Sequence, residues 1–99
     1  MSEKTLRVVA IITAKDGKEG ELKALLESLV APTTAEKGFI SYDLHSNNAD
    51  PLEFVFIEEW ESEEDLNAHL ASPHLSDAIA KLPDLLAAEL DIRRLTQVG

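Results

Sequence analysis

The stretch Phe54-Val55-Phe56-Ile57-Glu58-Glu59-Trp60 decides the fold. It opens as apolar β-former and closes on two carboxylates and the single Trp of the chain. Strand side chains alternate, so Phe54, Phe56, Glu58 and Trp60 share one face while Val55, Ile57 and Glu59 share the other. Both faces are largely apolar, which is the pattern of a central strand covered on both sides. Glu58 breaks that pattern. A carboxylate between Phe56 and Trp60 needs a partner or a polar cavity, because burying it unpaired is costly.

Working outward, Leu6 to Ala14 is again β-rich, with Val8, Ala10 and Ile12 on one side and Val9 and Ile11 on the other, and is expected as the second central strand. Asp16-Gly17 turns the chain into an amphipathic helix over 18–30, whose buried face carries Leu22, Leu25, Leu26, Leu29 and Val30. Pro32 ends or kinks it, and Thr33 with Glu36 has the capping-box spacing for one more turn before Gly38, so Glu36 is expected to cap backbone. Phe39 to Ser46 follows as an edge strand with Ile40, Tyr42 and Leu44 on one face, and Asn47 to Pro51 turns it into the Phe54 strand as a hairpin. Ser62 caps a short helix with Leu66, His69 and Leu70 inward; Ser72-Pro73 starts another, kinked at Pro83; and residues 90–98 close the chain as a last strand.

The order β-α-β-β-α-β is the split βαβ, ferredoxin-like pattern: an α+β fold with an antiparallel sheet and helices on one face. The other face, with Val9, Ile11, Val55 and Ile57 as one candidate set, has nothing in the chain to cover it. A homodimer pairing sheet on sheet is the economical solution.

Ninety-nine residues make one domain with one modest core. A formal charge of −10 argues against nucleic-acid and anionic-membrane partners, which require a basic footprint. Zero cysteines removes disulfides, thiol catalysis and thiolate metal ligands. The apolar runs are only a few residues long, too short for a membrane span, so the expected location is cytoplasmic.

Four motifs in order carry a resemblance that covers nearly the whole chain: Ala10-Ile11-Ile12-Thr13-Ala14-Lys15-Asp16-Gly17; Glu36-x-Gly38-x-x-x-Tyr42-x-Leu44; Glu58-x-Trp60; and His69-Leu70-x-Ser72-x-His74. Together they resemble the antibiotic-biosynthesis monooxygenase (ABM) domain, in particular its quinol-monooxygenase-like members. The resemblance implies one ABM-like domain over residues 1–99 with an ordered core over about 5–98, and a dimeric α+β barrel with a pocket between sheet and helices in each subunit. It implies oxygenation of a quinol or polycyclic phenol with no cofactor: no metal, flavin or haem. Phe56 stands where oxygen-handling members of the family carry Asn, and Ile79 where haem-degrading relatives carry the ligating His, so haem is not expected.

Within that frame His69 is the expected catalytic base, suited by its near-neutral titration, and Glu58 the carboxylate that orients it. Trp60, Tyr42, Phe54 and Phe56 are the expected substrate-binding wall. His69 bonded to Glu58 or backbone as a purely structural residue is the competing reading. His45 and His74 sit near loop ends and are expected to be solvated; the three His spacings match no standard metal motif. Two further functions fit the same residues: an isomerase moving a proton on a small carbonyl ligand, and a ligand-binding dimer without catalysis.

Overall fold

The computed structural model describes residues 5–99. The sheet is built from β1 (Leu6–Thr13), β2 (Phe39–Asn47), β3 (Asp50–Trp60) and β4 (Asp91–Leu95). The helices are α1 (Glu19–Glu27), α2 (Val30–Thr33), α3 (Glu63–Leu70) and α4 (Pro73–Lys81), the last running into a single 3-10 turn at Leu82–Asp84. Strand order is β2-β3-β1-β4, antiparallel throughout, so β1 and β3 are central as their doubly apolar pattern requires. This is the ferredoxin-like α+β fold.

Helix packing selects one alternating set as the core. Val8, Ala10 and Ile12 of β1 and Phe54, Phe56, Glu58 and Trp60 of β3 are buried against Leu22, Leu26, Leu66, Leu75 and Leu82. Each fully buried Leu, Phe or Val contributes about 1.5–3 kcal/mol relative to exposure, which makes this layer the main stabilising element. The opposite face keeps Val9, Ile11 and Val55 half-buried and leaves Ile57 46% and Leu95 44% exposed. The alternation alone left open which set faces in; the helices decide it.

Local chemistry accounts for the element boundaries. The Ser62 hydroxyl accepts the Asp65 N–H at 3.2 Å and starts α3. Pro73 occupies the first turn of α4, and Pro83 converts the end of α4 to 3-10 geometry. Gly38 has φ +79°, and a Cβ there would lie 2.1 Å from an Asp65 side-chain oxygen. Only glycine fits where β2 begins beneath α3.

The structure corrects several expectations. A bulge between Phe39 and Ser41 inserts Ile40 as an extra residue, turning it outward at 39% exposure and bringing Phe39 onto the Trp60 edge at 6.3 Å; Ile40 therefore does not share the face of Tyr42 and Leu44. The hairpin turn is tighter than 47–51, because Asn47 already pairs with Asp50 and its side-chain oxygen accepts the Ala49 N–H at 2.8 Å. Pro51 belongs to β3, tolerated because β1 pairing begins only at Glu53. β4 ends at Leu95 rather than near Val98, and α1 is shorter than 18–30, with α2 taking up Val30.

Candidate active site

A cavity of about 50 Å³ lies between the sheet and the helices. Its floor is Ala10 and Ile12 of β1, Tyr42 of β2 and Phe56 and Glu58 of β3; its roof is Leu26, Leu29, His69, Leu75 and Ala78. The half-exposed side chains Ile79, Leu90 and Ile92 form the rim toward solvent. In this otherwise apolar lining, Glu58 and His69 are the two ionisable groups apart from the Tyr42 hydroxyl. That combination, an apolar surface with a few convergent polar groups, is the usual make-up of a small-molecule site.

His69 is 2% exposed and held on every side. Its ring lies 4.7 Å from the Trp60 ring, tilted at 35°, and 5.2 Å from Tyr42 edge-on. Tyr42 in turn stacks on Phe56 at 4.3 Å. The His69 Nδ1 meets Glu36 Oε2 at 2.7 Å, and this leaves Nε2 as the nitrogen available to the cavity. Burial lowers the His69 pKa below its ordinary value, with the Glu36 carboxylate working against that effect, so the ring is a neutral base at neutral pH.

Glu58 lies two residues from Trp60 on the same strand face, and the indole N–H donates to its Oε1 at 2.9 Å. Burial pushes the Glu58 carboxyl up to about 7; the Trp60 bond pulls the other way and the Glu36 charge adds to the rise. Burial, and next the nearby Glu58 charge, raise the Tyr42 hydroxyl well above its ordinary range. Tyr42 is therefore a hydrogen-bonding wall rather than a proton source.

Tyr42, Phe56, Glu58 and His69 thus meet at one cavity, as the strand and helix periodicities require. Trp60 is fully buried behind it, stacked on His69 and bonded to Glu58, and is not part of the lining. Phe54 lies further along β3, against a different groove beside Tyr42, Leu44 and Lys23. The expected Glu58–His69 hydrogen bond is not formed among the described residues; Glu36 takes that place.

Glu36 is what sequence reasoning missed. Its spacing from Thr33 suggested a helix cap, yet α2 ends at Thr33 and the carboxylate reaches across to α3 and α4 instead. His74, expected in solvent, is half-buried with Nε2 2.9 Å from the same Glu36 oxygen. The break at Ser72-Pro73 lets α4 restart so that His74 returns toward His69, at 6.1 Å between rings. Glu36, His69 and His74 each bring one metal-ligand-type atom, all within 4.8 Å of one another. The available signal was that the three lie in motifs of the same family pattern. His45 is exposed, as expected.

Residues 5–81 match the family model described as antibiotic biosynthesis monooxygenase. An uncharacterised protein of Synechocystis, sll1783, is 31% identical over 86 residues, covering 87% of this chain but only 58% of that protein. YcnE of Bacillus subtilis, which carries a provisional monooxygenase designation, is 34% identical over 85 residues, covering 86% of this chain and 90% of YcnE. The crystal structure of PA3566 from Pseudomonas aeruginosa superposes with a TM-score of 0.93 at 31% identity, covering 100% of this chain and 99% of the other.

Proposed function

Because the chain belongs to the antibiotic biosynthesis monooxygenase family, we propose that it oxygenates a quinol or phenol in the cavity between sheet and helices, with His69 as proton acceptor. What supports this reading is that His69 lines a cavity walled by Tyr42 and Phe56 while its Nδ1 is tied to Glu36, so that Nε2 is the nitrogen left to take a proton. A quinol supplies its own electrons. Once its hydroxyl proton passes to Nε2, the electron-rich ring transfers an electron to O₂ and a carbon–oxygen bond forms. Overall, quinol and O₂ give hydroxyquinone and water. The protein then has only to bind, orient and exchange protons. Glu58, titrating near neutrality on the same cavity wall, would return a proton to the departing oxygen. Glu36 is a positioning residue that fixes the His69 ring and its tautomer.

The test is oxygen uptake by the purified protein with reduced naphthoquinols and phenols. Turnover with the wild-type chain and loss of at least about 100-fold in His69→Gln is expected, the lower end of what a positioned acid or base contributes. A variant that oxygenates at the wild-type rate would remove His69 from the mechanism. Two proton-exchanging groups on one cavity also suit an isomerase. Deuterium exchange into a carbonyl ligand without oxygen uptake would select that second reading.

The same proposal includes a homodimer. The helix-free face of Val9, Ile11, Val55, Ile57 and Leu95 is a patch of the kind that marks an interface, and its central strands are the ones carrying the cavity on their other side.

A further inference from the structure

We propose that Glu36, His69 and His74 form a binding site for one divalent transition-metal ion of the Zn²⁺ class. Three elements converge on it: the α2–β2 connection supplies Glu36, α3 supplies His69 and the first turn of α4 supplies His74. Glu36 Oε2 lies 2.7 Å from His69 Nδ1 and 2.9 Å from His74 Nε2. Around zinc, nitrogen and oxygen ligands stand about 2.0–2.2 Å from the metal, hence about 3.3 Å from one another in a tetrahedron. An ion therefore needs the carboxylate to withdraw by roughly half an ångström and the two imidazoles, whose ligand atoms lie within 4.8 Å of each other, to close on it, both side-chain adjustments.

The surroundings favour a cation over hydrogen bonds alone. His74 Nε2 faces three oxygens, with Thr33 Oγ1 at 3.3 Å and Ser72 Oγ at 3.4 Å beside Glu36. A single ring N–H serves one acceptor well, whereas a bound ion with a water in its fourth position would engage all three. Among the described residues, the ion-pair partners of Glu36 are these two imidazoles alone, with no Lys or Arg. Its carboxylate is 16% and the His74 side chain 24% exposed, so an ion reaches the cluster from solvent without crossing the cavity. Two imidazoles and one carboxylate suit zinc and its late first-row neighbours; magnesium and calcium prefer all-oxygen sites. The ligating nitrogen of His69 is Nδ1, the one that meets Glu36. With an ion on Nδ1 the ring proton sits on Nε2, so a loaded site and a His69 acting as proton acceptor exclude one another, and the inference does not rest on the oxygenase reading. Sequence spacing hid it because the ligands come from three elements, none in a recurrent metal motif.

The test is calorimetric titration of tag-free, chelator-treated protein with ZnCl₂ at neutral pH, repeated for His74→Ala and Glu36→Gln. One Zn²⁺ per chain is expected, with binding weakened at least about tenfold in each variant, since loss of even an outer-shell group costs that much. CoCl₂ should give visible absorption bands characteristic of nitrogen ligation that both variants lose, while MgCl₂ should not compete. Equal zinc affinity in wild type and both variants would place the metal on the acidic surface and overturn the proposal. So would the absence of any saturable uptake, or a cobalt spectrum with oxygen ligands only. Both substituted side chains are partly exposed, and far-UV circular dichroism separates a lost site from a lost fold. If one variant does not fold, the other and the wild-type cobalt spectrum decide.

Discussion

Glu58 and His69 face one cavity with opposite electrostatic histories. For Glu58, burial raises the carboxyl from 4.5 to about 7, so the folded chain holds a proton that the unfolded chain has already released. Stability attributable to this residue is then highest below about 4.5, declines as pH rises through that window, and reaches its floor above about 7. For His69 the folded pKa is depressed, so its contribution runs the other way and is lost as pH falls below 6.5. Glu58→Gln keeps an oxygen for the Trp60 N–H and removes only the charge. It should match wild-type stability near pH 4.5 and exceed it above pH 7 by on the order of 3 kcal/mol, as read from urea unfolding at a series of pH values. A constant difference across that range would mean that Glu58 ionises freely. This property was half legible in the sequence. Alternation made Glu58 an anomaly on an apolar face, but not which group would satisfy His69.

At the scale of elements, the site is held by the way α3 is seated on the start of β2. Gly38 is the contact point, with φ +79° and the Asp65 side chain directly over its Cα; the Gly38 carbonyl also accepts the Glu61 N–H at 2.9 Å. Gly38→Ala adds backbone strain of about 1–3 kcal/mol as well as a clash. It should lower stability by at least that amount, and Asp65→Ala in the same chain should recover only the carboxylate's share of the clash and none of the strain, because the Cβ of residue 65 still lies 2.5 Å from the new Cβ. Full recovery in the double variant would show that the backbone there is unstrained. Both central strands, both edges and the broken second helix were legible because their signals are local: doubly apolar runs, a Ser62 cap, a Ser72-Pro73 restart. The bulge at Ile40 and the reach of Glu36 were not. A bulge depends on the partner strand, and Glu36 meets His69 and His74 only after α3 and α4 have packed.

For the whole molecule, two surfaces remain to be matched with partners. The helix-free sheet face is expected to pair with a second copy, so Ile57→Asp, at the most exposed apolar position of that face, should convert a dimer to a monomer in sedimentation at micromolar concentration. A compact wild-type monomer under the same conditions would contradict the dimer. The cavity raises a separate question of size. At about 50 Å³ it has room for a few waters at most, so an aromatic ligand must widen it, and the rim side chains Ile79, Leu90 and Ile92 are the ones free to move. Among the described residues no helix is long and apolar enough to cross a membrane.

The most direct test of the central claim is a crystal structure with a two-ring quinone bound as product analogue. The expected result is the ring against the wall formed by the Tyr42–Phe56 stack, one oxygen within hydrogen-bonding distance of His69 Nε2 and the other side toward Glu58, with the Ile79, Leu90 and Ile92 rim displaced outward. A quinone seated on the sheet face, or in the cavity with His69 Nε2 turned away from it, would contradict the account.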